Sequence, residues 1–300
     1  MLASSSPSRR SVLKLASAGS ALSLLSAATS TVLAATDIRP TRMPVIFVGH
    51  GSPMNAISDN AFTRRLRSWG TELPRPTAIL AVSAHWQTPG ATLVDVQPQP
   101  PTIHDFGGFP TALYEMRYPA PGAPAMARQA LEAIAPLRAR ANEEWGLDHG
   151  TWTVLHHMFP RADVPVFQLS IDYDKPGDFH HGLGRRLAQL RDQGVLILGS
   201  GNVVHNLRAT QRGAPEAARA TAPWAQSFDD AFRQALEARD DQALVAYERL
   251  DAGARMAVPT PDHYWPFLYA LGAADRADAL KTTYASFQSG TLSMRCVQFG

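Results

Sequence analysis

Short apolar runs rich in valine, isoleucine and leucine alternate with amphipathic segments along this chain, and this alternation restricts the fold most. The apolar runs cover residues 44–48, 78–83, 164–170 and 195–198. The amphipathic segments have helical periodicity and cover residues 60–69, 123–139, 178–191 and 224–238. Strands that are apolar on both faces and alternate with helices are typical of parallel sheets. The sequence therefore predicts an α/β fold, with a mostly parallel central sheet and helices on both faces.

The composition fits one large domain with its own hydrophobic core. Of 300 residues, 45% are hydrophobic and 18% are charged, which is ordinary for a globular protein. Residues 281–286 and 292–298 alternate polar and apolar side chains, which predicts one or two edge strands. The single cysteine is Cys296, so an intramolecular disulfide is excluded. The net charge of +2 arises from scattered basic residues, so nucleic acid is not an expected partner.

The N-terminal segment differs in character from the rest. Arg9 and Arg10 precede a weakly apolar run that contains no acidic residue. This pattern predicts a twin-arginine signal peptide at residues 1–35. A membrane anchor is the alternative interpretation, but serine, threonine and glycine interrupt the apolar run. We therefore expect export by the twin-arginine machinery, a single periplasmic domain at residues 36–300, and no stable membrane insertion after cleavage.

Two histidines follow directly on predicted strands. His50 follows residues 45–48, and His85 comes just after residues 78–82. In open α/β sheets the ligand crevice lies beyond the carboxyl ends of the strands, and adjacent strands are about 4.8 Å apart. The two histidines are therefore expected to converge on one metal ion at this rim. The alternative is that each histidine only caps its strand through a backbone hydrogen bond.

Three further histidines stand in loops that can return to the same rim. His205 follows residues 195–198 through a glycine-containing turn, which lets the chain double back. His263 lies in a proline-fixed loop, where it is either a site residue or only the neighbour of a helix cap. His149 lies in a loop rich in aromatic residues and glycine.

The other histidines carry weaker signals. His104 stands near a glycine pair, in a loop suited to cover a substrate, and the sequence leaves open whether it lines the pocket. Two pairs lie on predicted helices, where one member of each pair must face outward. We expect surface or packing roles for these four, which are His156, His157, His180 and His181.

Six motifs, in order along the chain, resemble the class III extradiol dioxygenase superfamily, in its 4,5-DOPA extradiol dioxygenase branch. The resemblance extends from Met43 to Gly300. The motifs are Gly49-His50-Gly51-Ser52-Pro53-Met54, Ser83-Ala84-His85-Trp86, Thr102-Ile103-His104-Asp105-Phe106-Gly107-Gly108-Phe109, Asp148-His149-Gly150, Ser200-Gly201-Asn202-Val203-Val204-His205-Asn206 and Pro259-Thr260-Pro261-Asp262-His263-Tyr264. The resemblance implies an enzyme that opens the ring of a DOPA-like catechol with O2.

The resemblance also implies roles for the histidines in these motifs. His50, His85 and His263 would bind the metal. His205 would act as acid/base or complete the metal shell, and His149 would point at the substrate. The wider superfamily has a carboxylate as the third protein ligand, and Asp262 beside His263 is a fallback for that position.

One divalent metal ion, Fe(II) or Zn(II), is the implied cofactor. Fe(II) suits ring cleavage, because three protein ligands leave open positions for the catechol oxygens and O2. A neutral histidine has a pKa of about 6.5 and can remove a catechol proton. His205 is the candidate for this role, and His149 for stabilising developing charge by hydrogen bonding.

Aromatic residues near the candidate ligands are the expected walls for a flat substrate. We predict that Trp86, Phe106 and Tyr264, together with His104, bind the substrate; the alternative is that the aromatic rings belong to the core. Two other functions stay open at this point. An all-histidine site also suits a Zn(II) hydrolase, and the fold could serve a non-catalytic metal-binding protein.

Overall fold

A computed structural model describes residues 41–210 and 219–300. The described residues belong to one compact unit. The predicted signal peptide lies outside the described residues. Within the described ranges, none of the helices has the length and apolarity needed to cross a bilayer.

Strands and helices alternate through most of the chain. The strands are β1 (Val45–Gly49), β2 (Ala78–Thr88), β3 (Leu93–Asp95), β4 (Arg140–Asn142), β5 (Val166–Asp172), β6 (Val195–Gly201), β7 (Leu280–Tyr284), β8 (Phe287–Gln288), β9 (Leu292–Ser293) and β10 (Cys296–Phe299). The α-helices are α1 (Ala61–Glu72), α2 (Thr111–Glu115), α3 (Pro124–Ile134), α4 (His149–Met158), α5 (Gly177–Leu187), α6 (Pro223–Glu237), α7 (Asp241–Val245), α8 (Ala254–Ala257) and α9 (Trp265–Ala273).

Eight strands form the central sheet, in the order β4-β3-β5-β2-β6-β1-β10-β7. The middle of the sheet, β5-β2-β6-β1, is parallel, and β10 and β7 add antiparallel strands on one side. Alternate residues of β1 face opposite layers: Val45 and Phe47 pack with α5, α6 and α9, whereas Ile46 and Val48 pack with α1 and α4. The predicted α/β fold with a mostly parallel, doubly covered sheet is confirmed.

Helix α1 shows how local sequence defines these elements. The side chain of Asn60 accepts a hydrogen bond from the Thr63 amide at 2.9 Å, and the Thr63 hydroxyl accepts one from the Asn60 amide at 3.0 Å. This reciprocal cap satisfies two amides at the helix start. Phe62, Leu66 and Trp69 then recur on one face and are buried.

Two expectations about the sheet need correction. The C-terminal segment was predicted to supply only edge strands; β7 is an edge, but β10 lies between β1 and β7. In addition, β1 and β2 are not adjacent, because β6 lies between them. Strand β10 therefore pairs with the free side of β1, and the more polar β7 forms the edge of the sheet.

Candidate metal centre

The backbone of β2 carries a local irregularity that places His85. Val82 pairs with Leu169 of β5, but the next pair joins Gln87 to Ile171, so five steps along β2 match two along β5. The three extra residues bend the strand at this point. His85 therefore lies inside β2, at the bulge, and not beyond the end of the strand as the sequence predicted.

Three histidines from separate elements converge at the carboxyl end of the sheet. His50 follows β1, and His263 ends a short 3-10 turn ahead of α9. The Nε2 atoms of His50 and His85 are 3.2 Å apart. Ring centroids are 5.1 Å apart for His50 and His85, 5.4 Å for His50 and His263, and 5.1 Å for His85 and His263. One ligand atom from each of the three lies within 4.8 Å of the other two.

This spacing fits a single metal ion. Two nitrogens that each bind one ion at about 2.1 Å are about 3.2 Å apart when the angle at the metal is about 100°. Because β6 separates β1 from β2, the two backbones are roughly 9.6 Å apart, and the histidine side chains bridge the difference.

The ring of His50 is oriented by a chain of two hydrogen bonds. Its Nδ1 lies 2.9 Å from the Ser200 hydroxyl, which donates in turn to the carbonyl of Gly150 at 2.5 Å. Since the only hydrogen of that hydroxyl is used, Ser200 accepts from Nδ1–H, and Nε2 of His50 keeps its lone pair. Position 150 has no room for a side chain: a Cβ there would lie 2.5 Å from the Ser83 hydroxyl and 3.0 Å from the His85 ring.

Carboxylates lie beside the other two candidate ligand rings, and one of them makes a hydrogen bond. Nδ1 of His263 lies 2.5 Å from Oδ2 of Asp262, and Nδ1 of His85 lies 3.4 Å from Oδ2 of Asp105. Burial alone would raise the pKa of Asp262, but hydrogen bonds from His263 and Thr260 outweigh it and bring the pKa to about 2. An ionised carboxylate accepts from Nδ1–H, which again leaves Nε2 free for a metal.

Burial also keeps three rings of this region neutral, those of His50, His85 and His205. It lowers the pKa of His50, of His85 and of His205 well below the ordinary histidine value, and the neighbouring histidines lower it further. A neutral imidazole is the form that coordinates a metal, so the cluster is ready to bind an ion at neutral pH. The donor set, its convergence and the fixed Nδ1 atoms together fit a divalent cation.

His149 lies beside the cluster as the first residue of α4. The buried carboxylate of Asp148 caps this helix by accepting from the Thr151 amide at 3.2 Å. Asp105 receives two hydrogen bonds from His149, at 2.8 Å from the backbone amide and 2.9 Å from Nδ1. The ring centroid of His149 is 3.8 Å from that of His85.

A second group, composed of His85, Asp105 and His149, also has ligand atoms within 4.8 Å of one another. The carboxylate of Asp105 already accepts hydrogen bonds from the side chain and the backbone of His149. A metal there would have to displace the hydrogen bond between Nδ1 of His149 and Asp105. We therefore place the metal among the Nε2 atoms of His50, His85 and His263.

His205 stands next to this site. Its ring stacks face to face on His263, with centroids 3.5 Å apart and planes 3° from parallel. Within the two described ranges, the group of mutually close ligand atoms around His50 does not include His205. The sequence prediction that named His205 among the metal residues therefore differs from the geometry, because stacking holds the ring beside the site.

The four predicted substrate-binding residues separate into two groups. Phe106 is partly exposed, and its ring centroid is 5.6 Å from that of His149. His104 packs edge-on behind Phe106, at 5.7 Å, and its Nε2 lies 3.1 Å from the Met116 carbonyl. Phe106 thus borders the site, with His104 as its support.

Trp86 and Tyr264 do not form the predicted walls. Trp86 is 3% exposed and stacks on Trp145, with ring centroids 5.6 Å apart. Tyr264 is completely buried in the core, and its hydroxyl donates to the Leu244 carbonyl at 2.9 Å. Sequence proximity to a ligand histidine misled the prediction, because neighbouring residues in a strand or helix point in different directions.

Sequence reasoning missed Ser200 and the full role of Asp105. Both lie inside the motifs that carried the resemblance, next to residues that were named. A carboxylate in a glycine-containing loop close to several histidines was the available signal for Asp105. The hydroxyl of Ser200 gave no comparable signal, because a serine after a buried strand is common.

The sequence matches a family described as the catalytic LigB subunit of aromatic ring-opening dioxygenase, over residues 43–296. This chain belongs to that family. It is 48% identical over 265 residues to a protein of Escherichia coli (strain K12) named "4,5-DOPA dioxygenase extradiol", covering 87% of this chain and 96% of the relative. A Beta vulgaris protein of the same name is 37% identical over 261 residues, covering 84% of this chain and 95% of the relative.

A solved structure supports the same assignment. An uncharacterized protein from Escherichia coli K12 superposes with a TM-score of 0.75 at 41% identity, covering 86% of this chain and 100% of the other. The resemblance noted from the sequence is confirmed: this LigB-family protein is a metal-dependent, extradiol ring-cleaving dioxygenase.

Proposed function

We propose that this LigB-family dioxygenase opens the ring of a catechol bearing an amino-acid side chain, as in DOPA. We further propose one Fe(II) ion held by His50, His85 and His263. The convergence of one ligand atom from each of these three histidines, with Nδ1 of His50 and of His263 engaged in hydrogen bonds, is the observation that carries the proposal. Three protein donors leave open positions for two catechol oxygens and O2, as iron chemistry requires. The names of the relatives support the substrate class.

The metal, when bound, brings catechol and O2 together and allows electrons to pass from the ring to oxygen. His205 is the proposed base: it takes a catechol hydroxyl proton on a ring nitrogen and returns a proton later. His149 presents its ring to the reacting groups and hydrogen-bonds to them. The bond between a hydroxylated ring carbon and its unsubstituted neighbour breaks, and both atoms of O2 enter a semialdehyde product.

Oxygen uptake by protein reconstituted anaerobically with Fe(II) tests this proposal. The assay compares DOPA with catechol and with 3-(3,4-dihydroxyphenyl)propionate, which has the same length but lacks the amino group. We expect the highest kcat/KM for DOPA and one O2 consumed per ring opened. Equal values for all three would remove the amino-acid part of the proposal, and activity only with Zn(II) would remove the iron.

For the protein in the cell, we propose export by the twin-arginine route, with residues 1–35 as the signal and residues 36–300 as one periplasmic catalytic domain. The paired arginines Arg9 and Arg10 and the weakly apolar run support this. The family match begins only at residue 43, which leaves the proposed signal outside it.

Replacing both arginines by lysine tests the export proposal, because the export machinery reads the arginine pair and not the positive charge alone. We expect the Arg9→Lys, Arg10→Lys precursor to stay in the cytoplasm with full catechol cleavage in lysate. Normal export of this double variant by the same route would contradict the assignment.

A further inference from the structure

The carboxylate of Asp105 joins three nitrogen atoms of the centre. Oδ1 accepts from the backbone amide of His149 at 2.8 Å, and Oδ2 lies 2.9 Å from Nδ1 of the same residue. Oδ2 is also 3.4 Å from Nδ1 of His85. One side chain therefore contacts both a proposed metal ligand and the residue proposed to face the substrate.

These contacts fix which ring nitrogen is available. An ionised carboxylate only accepts hydrogen bonds, so Nδ1 of His149 carries the proton and Nε2 of His149 carries the lone pair. The Nε2 atom of His85 lies 3.2 Å from that of His50, on the metal side. In the ranges that the structure describes, no residue bonds Nε2 of His149, which leaves this atom for the substrate.

Asp105 also lies on the loop that supplies the aromatic wall. Two hydrogen bonds of 2.8 Å anchor the loop just before Asp105. The Ile103 amide donates to the Leu147 carbonyl, and Trp152 Nε1 donates to the Ile103 carbonyl. Downstream, a Cβ built on Gly107 or Gly108 would meet no heavy atom within 4 Å. Asp105 is hydrogen-bonded to His149, and the open part of the loop begins just after it.

We propose that Asp105 is a positioning residue for ring cleavage, which holds His149 by Nδ1 so that Nε2 faces the bound catechol, and steadies His85 for the metal. This rests on the proposed place of His149 beside the substrate. Asp262 performs the simpler task of orienting His263 alone, since their contact joins adjacent residues. Asp262→Asn is therefore the matched control for Asp105→Asn.

Kinetics of the Fe(II)-reconstituted protein give the first test. Asparagine keeps the shape of aspartate but offers one acceptor oxygen, so Asp105→Asn cannot accept from both the amide and Nδ1 of His149. We expect kcat per bound iron to fall about 10- to 100-fold, the usual cost of losing such a partner. The KM for the catechol should change less than about threefold, because the aromatic wall remains. Asp262→Asn should lower Zn(II) affinity, measured against a competing chelator, with a smaller loss of kcat per bound iron.

Histidine tautomers give a test that needs no activity. The Zn(II)-loaded protein is labelled with ¹⁵N-histidine, and the His149 signals among the 10 histidines are identified by their loss in His149→Gln. We expect protonated Nδ1 and unprotonated Nε2 for His149 in the wild type and in Asp262→Asn. In Asp105→Asn this single pattern should give way to a mixture.

Three results would overturn the proposal. The first is an Nε2-protonated His149 in the wild type, and the second is an unchanged kcat per iron in Asp105→Asn. The third is loss of Zn(II) from Asp105→Asn that is as complete as from His85→Ala, which would make Asp105 a ligand. The wild-type spectrum decides the tautomer even if Asp105→Asn fails to fold. Because the spectrum uses neither catechol nor iron, it is independent of the proposed substrate and metal.

Discussion

The centre is built from two regions that differ in how they are held. The sheet side carries four histidines on strands, strand ends and turns whose backbones are bonded into the core, namely His50, His85, His205 and His263. The loop side carries Asp105 and Phe106, with His149 at the start of α4. A Cβ added to either residue of its glycine pair would meet no heavy atom within 4 Å. The sheet side thus suits a metal site, which needs fixed donors, whereas the loop side suits a substrate that must enter and leave.

Close packing on the sheet side holds the backbone of the proposed ligand His263 in place. The amide of Asn202 donates to the carbonyl of His263 at 2.8 Å, and a Cβ on Gly201 would lie 2.1 Å from that carbonyl oxygen. Only glycine allows the turn that carries His263 to approach β6 so closely. Metal binding and substrate binding should therefore respond differently to changes on the two sides.

The largest expected effect is loss of metal from the sheet side. In His50→Ala one of three donors is missing, so metal content measured by elemental analysis should fall steeply. Ring cleavage should fall by about 1,000-fold or more, since the ion contributes about 4 kcal/mol or more to the rate. Full metal content in this variant would move the site elsewhere, to the group that contains Asp105. Phe106→Ala, on the loop side, is the control that should keep its metal.

The next effect separates His205 from the ligands beside it. His205→Ala should retain most of its metal, because the His205 ring stacks on His263 outside the ligand group. Turnover should fall about 100- to 10,000-fold, the usual range for removing a general base. Elemental analysis and catechol binding under nitrogen measure the two properties separately. Metal loss as great as in His50→Ala would make His205 a fourth ligand and close the site to O2.

A smaller effect is expected for the aromatic wall. Phe106→Ala removes a ring that lies 5.6 Å from His149. Such contacts contribute about 0.5–1.5 kcal/mol, so KM for the catechol should rise about 2- to 13-fold with kcat less affected. Tyr264→Phe tests the corrected position of that residue: it should leave KM unchanged and cost about 1 kcal/mol of stability through the lost hydrogen bond. A KM effect in Tyr264→Phe would return Tyr264 to the substrate.

The last effect is on stability and not on activity, and it concerns the metal-free protein in acid. Since burial lowers the pKa of His50, His85 and His205, these rings stay neutral when folded, while the unfolded chain protonates them near pH 6.5. The unfolded state then binds more protons, so the free energy of unfolding decreases as pH falls below about 6.5. Each ring contributes at most about 1.4 kcal/mol per pH unit. Urea unfolding at pH 7.5 and 5.5 measures the change, and equal stability at both would contradict neutral burial.

The two regions were also unequally predictable from sequence. The strands next to the histidines were found because buried parallel strands have a strong apolar signature, and their carboxyl ends are known to meet at one rim. The order of the strands was not accessible, because β6 enters between β1 and β2 from a distant part of the chain. The bulge that turns His85 inward was also missed, since it depends on pairing with β5.

Side-chain partners were harder still to predict. Ser200 and Asp105 contact residues 150 and 44 positions away in the chain, so neither contact leaves a local pattern. Trp86 and Tyr264 failed for the opposite reason: they are adjacent to histidines in the chain, and the backbone directs them into the core. The family resemblance supplied the ligand set, and only the folded structure supplied the orientation of each ring.

The hydrogen bonds from His50 through Ser200 to the carbonyl of Gly150 link β1, β6 and the first turn of α4. An ion that binds His50 in this arrangement binds the folded turn and not the locally unfolded one. It therefore stabilises the turn against opening. Opening of α4 and release of the ion are therefore coupled processes. Deuterium uptake at the amides of that turn becomes a direct reporter of metal occupancy, readable without substrate, oxygen or a coloured product.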